Sequence, residues 1–249
     1  MTLKLLSYNI RFGGVRREAQ LASAITAVNP DLVVFQEAID PGVIEALSRA
    51  TGLPFWAARK DHSIGYISRK EIAYHEWHYP AGAKHSFLEI VPAESESRIF
   101  GLHLSARFSK WDEQRRTREI RSLLKGIERH QHGFHLLVGD FNTLAPGELL
   151  DVRRLPAWIR ALVWVSGRKL QRDTIQIMLD AGYSDGYRMF HKEERGYTFP
   201  TWDPHVRMDF VFVPAAFAKR VLSCEVVTEP AAVVKAASDH LPLLAEVEL

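Results

Sequence analysis

Residues 63–68 (SIGYIS), 72–79 (IAYHEWHY), 86–91 (SFLEIV) and 98–104 (RIFGLHL) follow one another with only short breaks between them. Each is a run of strand length, rich in β-branched, aromatic or aliphatic residues. Many consecutive strands with few helices between them do not give a doubly wound, all-parallel sheet. Working outward, residues 3–9 and 31–37 are further apolar strands, separated by helical spacing from Arg16 to Val28 that Asn29-Pro30 stops. Toward the C-terminus the strand candidates are 134–140, 207–213, 221–228 and 241–248. A helix over 111–130 shows one apolar face through Ile120, Leu123, Leu124 and Ile127. The expected fold is α/β of the α+β type: a four-layer sandwich of two mixed β-sheets packed face to face, with helices outside. Pattern alone leaves other α+β layouts open.

Residues 1–249 are expected to form one domain, since no linker, repeat or low-complexity stretch divides them. With 47% hydrophobic and 25% charged residues, the chain is neither disordered nor a membrane protein by composition. Cys224 is the single cysteine, which excludes an intramolecular disulfide. No apolar run reaches the roughly 18 residues that span a bilayer, so no integral membrane association is expected. The first residues read as a strand rather than a signal peptide, which predicts a cytoplasmic protein. Oligomeric state is not legible.

Side chains able to do chemistry stand at the ends of strands far apart in sequence. Asp140 and Asn142 close the apolar strand that begins at Phe134, and a period of two puts them on one side while Phe141 turns into the core. Asn9 and Glu37 end the first two strands, and Asp209, Asp239 and His240 lie near later ones. Taken singly, an Asp after a strand is usually a cap or turn residue. Together these residues form an oxygen-rich set suited to Mg2+ or Mn2+, and the lack of cysteine ligands disfavours zinc.

Six segments in order, Ser7-Tyr8-Asn9-Ile10, Gln36-Glu37, His103-Leu104, Gly139-Asp140-Phe141-Asn142, Arg207-Met208-Asp209-Phe210 and Ser238-Asp239-His240, resemble the endonuclease/exonuclease/phosphatase superfamily. The resemblance runs from residue 3 to about residue 247. It implies a deoxyribonuclease-I-like sandwich and metal-assisted attack of water on phosphorus. By that resemblance Glu37 is the central metal ligand, with Asn9 and Asp239 beside it. Asp140, fixed by Asn142, orients or deprotonates the water; His240 pairs with Asp209 at the phosphate; His103 contacts the phosphate or protonates the leaving group. Thr198 matches a threonine near the site, with a structural role equally open. Arg207 is expected in structural or surface pairing. Two departures bear on substrate placement: Ala38-Ile39 follow Gln36-Glu37 where many relatives have Arg, and the usual Gly-Asn-Ala is absent around residues 63–69.

The substrate must be read from the insertions, because one catalytic set serves nucleic acids, lipids and inositol phosphates. Residues 106–125 and 143–172 each carry an excess of four positive charges, and each follows a site segment. The second is an inserted basic and aromatic segment, in which Arg153, Arg154, Arg168 and Lys169 are candidate substrate contacts. Solvated helix faces would explain such charges equally well. Residues 155–165 read as a short helix apolar on nearly every side, to be packed on the body first, a lid second, in contact with lipid third. Trp158, Trp164, Tyr197 and Trp202 could stack on bases, although a Trp is more often core. The leading expectation is a phosphodiesterase or nuclease acting on nucleic acid, followed by a phosphoinositide or sphingomyelin-type hydrolase. A catalytically dead binding module comes third, because every main catalytic position is filled.

Overall fold

Two six-stranded sheets face each other in the computed structural model, which describes residues 1–93, 95–107, 109–148, 150–154, 157–165 and 172–249. The first sheet contains β1 (Thr2–Asn9), β2 (Leu32–Gln36), β3 (Phe55–Ala57), β4 (Ile64–Ser68), β11 (Val221–Val226) and β12 (Leu243–Glu248), in the order β11-β12-β1-β2-β4-β3. The second contains β5 (Ile72–His78), β6 (Phe87–Pro92), β7 (Arg98–His103), β8 (His135–Asp140), β9 (Tyr183–Asp185) and β10 (Asp209–Pro214), in the order β5-β6-β7-β8-β10-β9. One pair in each sheet is parallel, β1 with β2 and β7 with β8, and the remaining pairs are antiparallel. Both sheets are therefore mixed.

The period of two assigns every strand residue to a layer. Leu3 and Leu5 join Val34, Ile99 and Val138 in the core between the sheets, whereas Leu6 and Tyr8 face outward. Those outward residues are covered by α1 (Glu18–Val28), α2 (Pro41–Thr51) and α7 (Ala231–Ala237), through Leu21, Ile25, Val43, Leu47 and Ala237. On the far side, Phe100, Leu137 and Phe210 pack under α3 (Lys110–Gly126) and α5 (Asp173–Asp180) through Ile120, Leu123, Ile175 and Met178. Three apolar layers separated by two sheets make four structural layers. Gly101 sits where the sheets approach closely: a Cβ there would lie 2.6 Å from the Val34 side chain.

The strands expected from sequence all appear, within two residues at most ends, and the helices at 16–28 and 111–130 appear with modest trimming. Absent from the sequence reading are α2, α5, α7, the short α6 (Gly186–Phe190), and strands β3 and β9. The helix expected at 155–165 is α4 (Ala157–Val165); residues 155 and 156 lie outside the described residues. The side chains of residues 159, 162 and 163, on which its expected packing turns, lie outside the described residues. Trp158, Trp164 and Val165 are each more than half exposed, and Ala157, Arg160 and Ala161 are exposed as well.

Candidate active site

Chain direction brings the candidate residues to one end of the sandwich. Asn9 ends β1 and Glu37 follows the parallel β2; β12 runs antiparallel to β1, so Asp239 and His240, just before it, return to the same end. In the other sheet His103 is registered with Asp140, and Asp140 with Asp209. Several of the strands break off in left-handed backbone: Arg11, Glu37 and Asn142 have φ of 51°, 58° and 51°. Such values are costly for residues other than Gly or Asn and point to a constrained site. Gly139, at φ 144°, could carry no side chain, since a Cβ would lie 1.9 Å from the Leu102 carbonyl oxygen. The close β7–β8 approach that sets His103 beside Asp140 depends on it.

Asp140 is the hub. One carboxylate oxygen accepts the backbone N–H of Asn142 at 2.8 Å, and the other accepts Asn9 Nδ2 at 3.0 Å. That second oxygen is also 3.8 Å from His103 Nε2 and 3.8 Å from His240 Nε2. Burial, the largest influence, pushes the Asp140 pKa up to about 7; Asp209 adds to it, and His240, Asn142 and Asn9 oppose it. His240 Nδ1 meets Asp209 Oδ2 at 2.9 Å. Burial alone would lower the pKa of His240, but the Asp209 and Asp140 carboxylates outweigh it and push it up to about 10. The surroundings of buried His240 thus favour its protonated form. His103 is the opposite case, held neutral by burial and by nearby His85, His240 and Lys84. Its Nδ1 is 2.5 Å from Ser63 Oγ, leaving Nε2 toward Asp140.

Asn9, expected as a metal ligand, has its amide turned otherwise. Its oxygen accepts the Arg11 N–H at 3.0 Å, and its nitrogen faces Asp140 and, at 3.4 Å, Glu37. As placed, it orients both carboxylates. Glu37 Oε2 accepts the Phe12 N–H at 2.6 Å, and Asp239 meets Arg11 Nε at 3.3 Å. Segments 9–11 and 237–240 are stitched together. Ser238 Oγ donates to the Asn9 carbonyl at 2.6 Å, and the Arg17 guanidinium donates to the carbonyls of Ile10, Arg11 and Ala237.

Glu37, His103, Asp140, Asn142, Asp239 and His240 all line one cleft of about 440 Å3. Two groups of side chains there could hold a cation. Asp140, Asp209 and His240 converge within 4.8 Å, and the two carboxylates favour a proton on His240 there. Glu37 and Asp239 face the open cleft with hard oxygen donors, the chemistry that Mg2+ or Mn2+ prefers.

The remaining expectations separate clearly. Thr198, expected at the substrate, is fully buried and does not line the cleft; its hydroxyl accepts the N–H groups of Met208 and Asp209 and so holds the start of β10. Arg207 is structural, buried against Asp185 at 2.6 Å and Glu148 at 2.7 Å. Arg153 pairs with Asp151 and Arg154 with Asp203, both at the surface. Arg168 and Lys169 lie outside the described residues. Trp158 lines the cleft, and Trp202 is 63% exposed nearby, packed on Phe199, which in turn packs on His240. The sequence reading missed Ser63, Lys84 and His85 at the cleft wall; the departure noted around residues 63–69 signalled Ser63 alone, and nothing signalled the other two.

The chain belongs to the endonuclease/exonuclease/phosphatase family, whose pattern matches residues 6–240. Its fold is shared by an AP endonuclease from Archaeoglobus fulgidus, with a TM-score of 0.74 and 18% identity over 99% of this chain and 100% of that one. It is shared too by the 3'-5' exonuclease NExo from Neisseria meningitidis, at a TM-score of 0.72 and 20% identity over 99% and 100%. TDP2 from D. rerio, complexed with a single-strand DNA product, has a TM-score of 0.68 and 20% identity over 100% and 99%. No curated protein sequence matches the chain.

Proposed function

We propose that the protein hydrolyses phosphodiesters with an activated water and a divalent metal, and that nucleic acid is its substrate. The observation that carries this reading is the convergence on Asp140 of Asn9, His103, Asn142 and His240, beside the cleft carboxylates Glu37 and Asp239. Asp140, with its pKa near neutrality, takes the proton of the attacking water. The His240 imidazolium, held by Asp209, donates to a non-bridging phosphate oxygen and offsets its developing charge. Neutral His103 offers its Nε2 side to the phosphate or the leaving oxygen. Glu37 and Asp239 hold Mg2+ or Mn2+, with Asn9 fixing Glu37. When bound, the ion neutralises phosphate oxygens and stabilises the leaving oxygen.

Nucleic acid is favoured by the relatives that share the fold, since NExo and TDP2 were both seen with DNA products, and by Arg107 and Trp158 on the cleft wall. A lipid phosphodiester, phosphoinositide or sphingomyelin-like, is the second reading, favoured by the exposed Trp158, Trp164 and Val165 of α4, of which Trp158 lines the cleft. The test is hydrolysis of bis-p-nitrophenyl phosphate and of a panel of DNA, RNA, abasic DNA, sphingomyelin and inositol phosphates, each with Mg2+, Mn2+ or chelator. Activity that survives chelator refutes the metal; turnover of lipid or inositol esters alone reverses the substrate; nucleic-acid binding without cleavage under either metal favours a binding module.

A further inference from the structure

A second cavity of about 150 Å3 opens beside the catalytic cleft, lined by His62, Tyr79, Pro80, Ala83 and Ser86. Four residues, Asp61, Ser63, Lys84 and His85, line both spaces, so the two are neighbours across a shared wall. The wall is fixed to the catalytic histidine: the His85 ring stacks on His103 at 5.1 Å with planes 7° apart.

The lining is a set of donors. Lys84 brings an ammonium, and His62, His85, Ser86 and Tyr79 bring N–H and O–H groups. Tyr79 Oη is 3.3 Å from His62 Nδ1 and receives Arg59 Nη1 at 3.4 Å, which adds a second cation just outside. Asp61 is the one carboxylate on this wall among the described residues, and Lys84 and Arg59 together outweigh it. Burial, with Lys84, lowers the pKa of His85 and makes it an uncharged donor near neutral pH.

The loop that carries these groups is held in place. The Lys84 N–H donates to Glu119 Oε1 at 3.0 Å, and the buried Glu119 carboxylate also takes the N–H and hydroxyl of Ser105, two residues after His103. One side chain of α3 thus fixes the second cavity and the catalytic strand end in the same frame. Donors gathered around a small space beside a braced loop are an arrangement that recognises a phosphate.

We propose that this side cavity binds a second phosphate of the substrate, so that a phosphodiester with another phosphate one sugar away is preferred over the same ester without it. The proposal rests on the phosphodiesterase reading of the main cleft and adds the element that selects among its substrates. It makes Lys84 and His62 specificity-determining residues.

Two substrate pairs test it in Mg2+. One is the p-nitrophenyl ester of thymidine 5'-phosphate with and without a 3'-phosphate; the other is the p-nitrophenyl ester of thymidine 3'-phosphate with and without a 5'-phosphate. In at least one pair the extra phosphate should raise kcat/KM about tenfold, through KM, as one charge-assisted contact does. Lys84→Ala and His62→Ala should each bring that ratio down toward one. A ratio of one in both pairs for the unmodified protein, or an unchanged ratio in both variants, overturns the proposal. Calorimetric titration of the Asp140→Asn protein with thymidine 3',5'-bisphosphate and with each monophosphate separates this from failure of the chemistry. Tighter binding of the bisphosphate that Lys84→Ala removes supports the subsite even if no ester is cleaved; equal affinities refute it even if all are.

Discussion

The floor of the cleft and its rim are built on opposite plans. On the floor, Asp140, Asp209 and His240 are almost wholly buried, and each polar group meets partners from other strands. On the rim, α4 presents two tryptophans to solvent, and Arg153 and Arg154 make surface pairs, which are worth little in water. The boundary between the two plans is one residue. Buried Glu113 accepts Thr143 Oγ1 at 2.9 Å and the Thr174 N–H at 2.8 Å, where the chain leaves the floor and where it returns. The contrast teaches that the floor's charges are fixed by partners from distant segments, whereas the rim's charged groups are paired at the surface.

Removing the floor's hub gives the largest effect. Asp140→Asn should lower kcat on bis-p-nitrophenyl phosphate by about three orders of magnitude, with circular dichroism unchanged; a rate within tenfold of the original would erase the distinction between floor and rim. Glu113→Ala comes next. It strips Arg116, only 1% exposed, of its carboxylate, and chemical denaturation should show a loss of about 3 kcal/mol; a loss below 1 kcal/mol would mean that the boundary is not held there.

The pH profile sharpens the comparison further. Asp140 acts as a carboxylate, so kcat/KM should rise with pH through about 7, and His240 acts protonated, so it should fall as pH approaches about 10. No rise between pH 5 and 9 would remove the role of Asp140, and no fall between pH 9 and 11 would remove that of His240. The smallest effect belongs to the rim. Replacing Arg153, Arg154, Arg168 and Lys169 with Ala should reduce the slope of log binding against log salt by about one for each residue that meets a phosphate of a long nucleic acid. An unchanged slope would make these charges an ordinary solvated face.

The floor was legible because strand ends, a two-residue period and ordered motifs each mark it. Residues such as Asn142 and Glu37 announce themselves by sitting just past apolar runs. What the sequence hid depends on pairing between distant segments. Nothing near Thr198 says that its hydroxyl will serve the backbone of Met208 and Asp209, and the sequence of residues 79–86 carries no motif that predicts His85 stacked on His103. Helix α2 could have been read, since Asp40 caps it, Pro41 opens it and Gly52 ends it in left-handed backbone. Its apolar positions, Val43, Ile44 and Leu47, are too few to stand out from the surrounding chain. At α4 the sequence shows apolar residues all round but not which of them meet solvent, and there Trp158, Trp164 and Val165 do.

Glu113 also bears on how such a protein can diverge. Because one carboxylate grips both ends of the rim segment, that segment is a closed excursion, and lengthening it adds closure entropy only logarithmically. Insertions, deletions or replacement between Glu148, which holds buried Arg207, and Thr174 can therefore accumulate without moving Asp140. On the proposed reading the floor can keep one reaction while the segment after Glu148 is rewritten, which makes that segment the natural place to graft a new specificity.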